Sequence, residues 1–201
     1  MRLFRLPFFA GLMYPRALLR LKTDKRELVL TFDDSPDPES TPQVLRVLDD
    51  HHVRAVFFCT GRNAEKYPEL MSLIRSKGHF TGNHGYDHIN GLKNPLKDYV
   101  ENVSRAGGFT SQEIFRPPYG RMRLSQYREL AKRYRIVLWD LMPYDFDRQM
   151  GKDKCLNVLK KKLRPGSVIV LHDTPSSLLL SFLDELLSYA EKNGYSFVNN
   201  I

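Results

Sequence analysis

From residue 27 onward the chain alternates between two rhythms of apolar residues. Short, unbroken apolar runs rich in β-branched and aromatic side chains predict strands at 27–34 (ELVLTFDD), 53–60 (VRAVFFCT), 79–83, 114–116, 135–140 (RIVLWD), 167–172 (SVIVLH) and 195–198. Between them, apolar positions recur every three or four residues. That spacing predicts helices over 41–51, 63–77, 125–134, 153–163 and 178–192, with another starting at Asn94-Pro95. Gly61, Gly78, Pro117-Pro118, Pro165-Gly166 and Gly194 punctuate the transitions. Strands separated by helices imply parallel pairing through crossovers. A doubly wound sheet and a barrel both satisfy that, and about seven β units favour an α/β fold built as a distorted, incomplete (β/α) barrel, TIM-barrel-like.

The polar residues that matter fall where the apolar runs stop. Asp33 and Asp34 end the first run, His84 follows the third, Arg116 ends the fourth, Asp140 the fifth, and His172 with Asp173 the sixth. In parallel β/α architectures the C-terminal strand ends gather at one rim, where active sites are built. His84-x-x-x-His88 places two imidazoles at the spacing of one helical turn, able to chelate one divalent ion. One Asp from the first strand would complete a two-His, one-carboxylate site with open positions. Taken alone, Asp33-Asp34 reads first as a turn closing a strand, since Asp34-Ser35-Pro36 is good turn chemistry. Two adjacent carboxylates repel unless a cation divides them, and Arg116, held in a stiff Pro-rich turn, can pair with the second. His172 closes the most apolar strand, so its imidazole points either at the rim or into a satisfied core site, and the loop opening at Asp173-Thr174-Pro175 favours the rim. His51, His52 and His79 read as structural. Cys59 and Cys155 read as small buried hydrophobes.

The chain has 201 residues and a formal charge of +8, but the charge is unevenly placed. Residues 1–26 hold seven basic residues against Asp24 alone, a net of +6, which leaves +2 for the rest. The division is therefore a basic, apolar leader (1–26) and a nearly neutral domain (27–201). Three readings of the leader stand side by side. Arg2 and Arg5 ahead of an apolar stretch resemble a signal peptide, yet no clear small-x-small cleavage site follows. Its Phe, Leu and Arg residues also suit an anionic lipid surface, contacted through 1–22. Alternatively Leu3, Phe4, Phe8 and Phe9 close one end of the core. A cytoplasmic, membrane-associated or cell-envelope location follows from one or another of these. Six basic residues lie within 121–135, but no nucleic-acid-reading motif accompanies them, so nucleic acid is not an expected partner. A monomer is expected.

Five motifs in order resemble the polysaccharide deacetylase family (the NodB-like, carbohydrate esterase family four domain): TFDDSP (31–36), HGYDH (84–88), RPPYG (116–120), WDLMPYDF (139–146) and LH (171–172). The resemblance implies a distorted seven-stranded (β/α) barrel and removal of N-acetyl groups from an acetylated amino sugar in a glycan such as peptidoglycan or chitin. It assigns Asp34, His84 and His88 to a divalent metal, zinc first, with Co2+, Ni2+ or Fe2+ as others. It makes Asp33 the general base, Arg116 its orienting partner, His172 the general acid tuned by Asp145, and Tyr119 a backbone donor to the oxyanion. Leu171, Trp139, Phe146 and Pro118 would wall the substrate pocket. Ser35, Gly85 and Phe146 stand where the family usually has Gly, Ser or Thr, and Trp. Two further activities fit the same motifs: an O-acetyl esterase or other amidase, and a catalytically weak homologue that binds metal or glycan.

Overall fold

The computed structural model describes residues 3–7, 9–199 and 201; Arg2 and Phe8 of the leader lie outside them. Helix α1 (Phe9–Met13) precedes β1 (Glu27–Ser35), α2 (Thr41–Asp50), β2 (Val56–Cys59), α3 (Gly61–Lys66), α4 (Pro68–Ser76) and β3 (Phe80–Asn83). Then come α5 (Leu96–Gly107), β4 (Ile114–Phe115), α6 (Leu124–Leu130), β5 (Arg135–Ile136), α7 (Lys152–Lys162), β6 (Val168–His172), α8 (Leu179–Lys192) and β7 (Ser196–Phe197). Among the described residues seven parallel strands run in the order β5-β4-β3-β2-β1-β6, with β7 on the start of β1. The incomplete (β/α) barrel expected from the strand count is thus the observed architecture.

The longest apolar runs occupy the middle of the sheet. β1 pairs with β6 from Val29↔Val168 to Asp33↔His172, and with β2 from Thr31↔Val56 onward. Alternate residues face opposite sides. Leu28, Leu30 and Phe32 pack outward among Leu45, Leu48, Phe182 and Leu186 of the surrounding helices. Val29 points inward with Val56, Phe58, Ile114, Val137 and Val168. Burial of these two sets, at about 25 cal/mol per Å² of apolar surface, is what holds strand ends from distant sequence positions at one rim.

Two expected elements differ. The helix expected over 63–77 is two helices, α3 and α4, because Pro68 lacks the amide an uninterrupted helix would need there and instead opens α4. The strand expected over 135–140 is regular only at Arg135–Ile136. Beyond it the chain leaves β4 and crosses the barrel seam, reaching β6 through a parallel Leu141↔Ile169 bridge. Leader residues fill that seam. Leu18 bridges to Val137 in parallel and Arg20 to Ser167 in antiparallel fashion, with Leu18 N–H donating to the Ile136 carbonyl at 2.8 Å and Leu138 N–H to the Leu18 carbonyl at 2.8 Å. Leu6, Tyr14, Ala17 and Leu19 pack on Leu138, Trp139 and Val170.

Candidate active site

The adjacent aspartates owe their joint use to a break in β1. Successive strand residues normally face opposite ways, but the register against β2 shifts between Asp33 and Ser35, and Asp34 takes a left-handed φ of 71°. Asp tolerates that region better than most residues. The result is that Asp33 Oδ2 and Asp34 Oδ1 both lie 3.8 Å from His84 Nε2, while Asp34 Oδ1 is 3.3 Å from His88 Nε2.

His84 and His88 do not occupy a helical turn, contrary to the spacing argument. They sit on a loop after β3, bent by left-handed Gly85 (φ 74°) and His88 (φ 53°). A hydroxyl residue at 85 would be strained, and the loop is tied by other groups: Asn83 Oδ1 accepts from Gly85 N–H at 2.8 Å, and Asn102 Oδ1 from Tyr86 N–H at 2.8 Å. Asp34, His84 and His88 each offer one ligand atom, all within 4.8 Å of one another. His84 Nδ1 lies 2.8 Å from the Arg116 carbonyl, which fixes a proton there and leaves Nε2 free to ligate. Burial first, and then His84 nearby, push His88 down to about 4, so its imidazole is neutral, as a ligand must be. One carboxylate and two such imidazoles, set together with space beside them, fit a divalent transition metal.

Arg116 is fully buried and saturated with acceptors. Its Nη1 donates to Asp33 Oδ1 and to Thr31 Oγ1, both at 2.7 Å; Nη2 donates to the Leu138 carbonyl at 3.0 Å, and the guanidinium lies 4.0 Å from the centre of the Phe58 ring. Burial alone would raise the Asp33 carboxyl, but Arg116, His84 and His172 outweigh it and hold it below the usual carboxylate range. On the neighbouring strand β6, in register with Asp33, His172 Nδ1 is 3.0 Å from Asp145 Oδ1, and His172 N–H donates to Asp145 Oδ2 at 2.7 Å. Burial works against protonating His172, yet the buried Asp145, with Asp33 and Asp34 behind it, pushes it up to about 9. Phe146 stands edge-on to the His172 ring at 4.7 Å.

These groups share one cleft of about 540 Å³, lined also by Tyr119, Gly120, Trp139, Met142, Tyr144 and Val170. Tyr119 has a left-handed φ of 60° and packs its exposed ring 4.6 Å from that of His88. Several expectations are corrected. Leu171 faces the outer core, whereas Val170, two residues before His172 and therefore on the same strand face, lines the cleft. The alternation along SVIVLH carried that signal. Pro118 is buried next to the His84–His88 loop, its Cγ 3.6 Å from where a Cβ at 85 would stand, and is not among the residues lining the cleft. Asp140 is not at the rim. It pairs with Arg5 and Arg164 and accepts from Ser167 Oγ at 2.6 Å, at the opposite end of β6 from His172. Asp173 turns away from the cleft into a cage of hydroxyls, accepting from Ser35 Oγ at 2.9 Å, Ser40 Oγ at 2.7 Å and Thr41 Oγ1.

The polysaccharide deacetylase family model matches residues 20–139. A peptidoglycan-N-acetylglucosamine deacetylase of Bacillus cereus is 36% identical over 186 residues, 87% of this chain and 67% of the relative. A chitooligosaccharide deacetylase of Azorhizobium caulinodans is 33% identical over 165 residues, 77% of each chain. Among solved structures, a peptidoglycan N-acetylglucosamine deacetylase in complex with an N-hydroxybenzamide superposes with a TM-score of 0.87 at 32% identity, covering 96% of this chain and 94% of that one. The chain belongs to the polysaccharide deacetylase family.

Proposed function

We propose that the protein is a metal-dependent N-deacetylase acting on N-acetylated amino sugars within a glycan of the peptidoglycan or chitin kind. The observation that carries this reading is the meeting, in one cleft, of three clustered ligand atoms with an ionised carboxylate on one side and a carboxylate-backed imidazole on the other. When bound at Asp34, His84 and His88, a divalent cation such as zinc supplies Lewis acidity, acidifying water and polarising a carbonyl.

Asp33, kept ionised and oriented by Arg116, takes a proton from the attacking water. The water oxygen adds to the acetamide carbon, and the Tyr119 backbone N–H donates to the developing oxyanion. An amine is a poor leaving group until it is protonated. His172 holds a proton on Nδ1 against Asp145 and delivers the one on Nε2 to the sugar nitrogen as the C–N bond breaks, releasing acetate and the free amine. Trp139, Phe146 and Val170 give the acetyl group and ring apolar walls, and the exposed Tyr119 offers a face on which a sugar ring can stack.

The test is acetate release from peptidoglycan, chitin and acetylated-xylan fragments, with Zn2+, Co2+, Ni2+ or Fe2+ added to chelator-treated protein, alongside metal content. Release from N-acetylated fragments, lost in Asp33→Asn and His172→Ala while metal is retained, is expected. Release from xylan alone would make the protein an O-acetyl esterase; metal binding without release from any fragment would make it a non-catalytic binder.

A further inference from the structure

Away from the cleft, the leader and α6 build a surface with a different chemistry. Leu12 is 75% exposed, the most exposed large hydrophobic residue described, and Met13 beside it is 49% exposed. They border a groove with Leu124, Arg16, Arg128 and Lys132. At Pro15 and Arg16 this groove runs into a second, larger one lined by Arg20, Lys22, Lys25 and Arg135. Among the lining residues of both grooves the cations number seven, against the single carboxylate of Glu27, which Lys25 approaches to 3.9 Å. Glu129 on α6 is taken up by Lys132 at 2.5 Å.

Adjacent exposed apolar and cationic side chains are what an anionic bilayer surface selects: the apolar tips enter the acyl boundary while Arg and Lys meet the headgroups. A soluble polyanion would use the cations but gives no reason to leave Leu12 and Met13 in water. Among the described residues no helix is long and apolar enough to cross a membrane, so the contact this surface can make is peripheral. We infer that the face formed by Leu12, Met13 and the basic grooves beside them is a docking surface for anionic phospholipid. Neither groove shares a lining residue with the catalytic cleft, and Glu27 and Arg135 start β1 and β5, at the strand ends opposite the site.

Deleting 1–22 would test nothing, since Leu18 and Arg20 are part of the barrel wall. Point variants of the full chain are needed: Leu12→Ser with Met13→Ser, and Arg16→Gln with Arg128→Gln, each checked for an unchanged circular dichroism spectrum and melting temperature. Cosedimentation is measured with vesicles of phosphatidylcholine alone and of equal parts phosphatidylcholine and phosphatidylglycerol. The unmodified protein is expected to bind the anionic vesicles selectively and less tightly as salt rises. Removing the two arginines should weaken binding about 25-fold, at about fivefold per charge. Replacing the apolar pair should weaken it by about tenfold or more. Equal binding to both vesicle types overturns the inference. So does binding of the serine variant at full strength, together with soluble polyphosphate as an equal competitor, which would make this a polyanion surface. A lipid-free dimer abolished by the serine pair would instead assign the face to a second copy of the chain.

Discussion

Asp173→Asn isolates the energetics of the hydroxyl cage beside the active site. Burial pushes the Asp173 carboxyl from 3.8 up to about 6, against the three hydroxyl donors that pull it down. A group whose pKa is higher in the fold than in the unfolded chain stabilises the fold while protonated, and that contribution disappears as pH rises through its folded value. From 3.8 to about 6, at about 1.36 kcal/mol per decade, the full contribution is about 3 kcal/mol. It is complete below pH 3.8 and gone well above pH 6. Asparagine keeps the shape and two polar ends but cannot titrate. Relative to the natural protein, the variant should therefore be about 2–3 kcal/mol more favourable at pH 7.5 than at pH 4, whatever constant offset the changed hydrogen bonds introduce. For a chain of this length that swing is about 4–12 °C in melting temperature. Thermal unfolding of both proteins across that range, followed by circular dichroism, measures it. A difference in melting temperature that does not change with pH would mean that the buried carboxylate carries no net penalty and that Asp173 ionises in the fold as it does in the unfolded chain.

Other consequences are as concrete. In Asp145→Asn, burial of His172 is opposed only by the charges of Asp33 and Asp34, so its pKa falls from about 9 towards its ordinary 6.5; since His172 must be protonated to act, the alkaline limb of the pH–rate profile for acetate release should move to lower pH, and an unmoved limb would exclude His172 as the acid. Gly120→Ala would put a Cβ 2.2 Å from the Trp139 ring at a φ of +62°, whereas Gly151→Ala meets nothing within 4 Å at a similar φ of +70°. The second should cost only backbone strain, about 1–3 kcal/mol, since φ 70° with ψ 153° is a combination that favours glycine; the first adds the clash to its own strain and should also raise KM by displacing a cleft wall, as melting curves and steady-state kinetics will show. Phe4 packs edge-on to Tyr144 at 5.8 Å, Tyr144 to Phe146 at 5.6 Å, and Phe146 to His172 at 4.7 Å. Phe4→Ala should loosen that row and raise KM severalfold, with Phe4→Tyr restoring it.

The parts of the fold legible from the amino-acid order were those in which one physical demand dominated. β1, β2 and β6 are buried on both faces, so unbroken apolar runs mark them. The residues after Ile136 have the same composition but divide their pairing between β4, the leader and β6, a tertiary choice that no local pattern encodes. At the site, residue types were legible and geometry was not. Nothing in Asp33-Asp34 announces a strand irregularity that turns both carboxylates to one side, and the interval between His84 and His88 suggested a helix where a glycine-bent loop does the same work. Asp140 and Asp173 look as catalytic on paper as Asp33; what separates them is that each is engaged by neighbours facing away from the cleft.

The leader's place in the barrel seam has a consequence for how the chain reaches its native state. Tyr14 bonds to a carbonyl 108 residues away, Arg5 to a carboxylate 135 residues away, and Thr31 to a carbonyl 138 residues away. Leader side chains thus have to wait for partners made 108 and 135 residues later. Contacts of such long range must close before they are rewarded, which is expected to slow the folding of a parallel sheet built from them. Until β6 emerges, the central strand β1 presents five unpaired residues along one side, a template for pairing with another chain. A fragment ending before residue 168 is therefore expected to aggregate rather than to fold as a smaller domain.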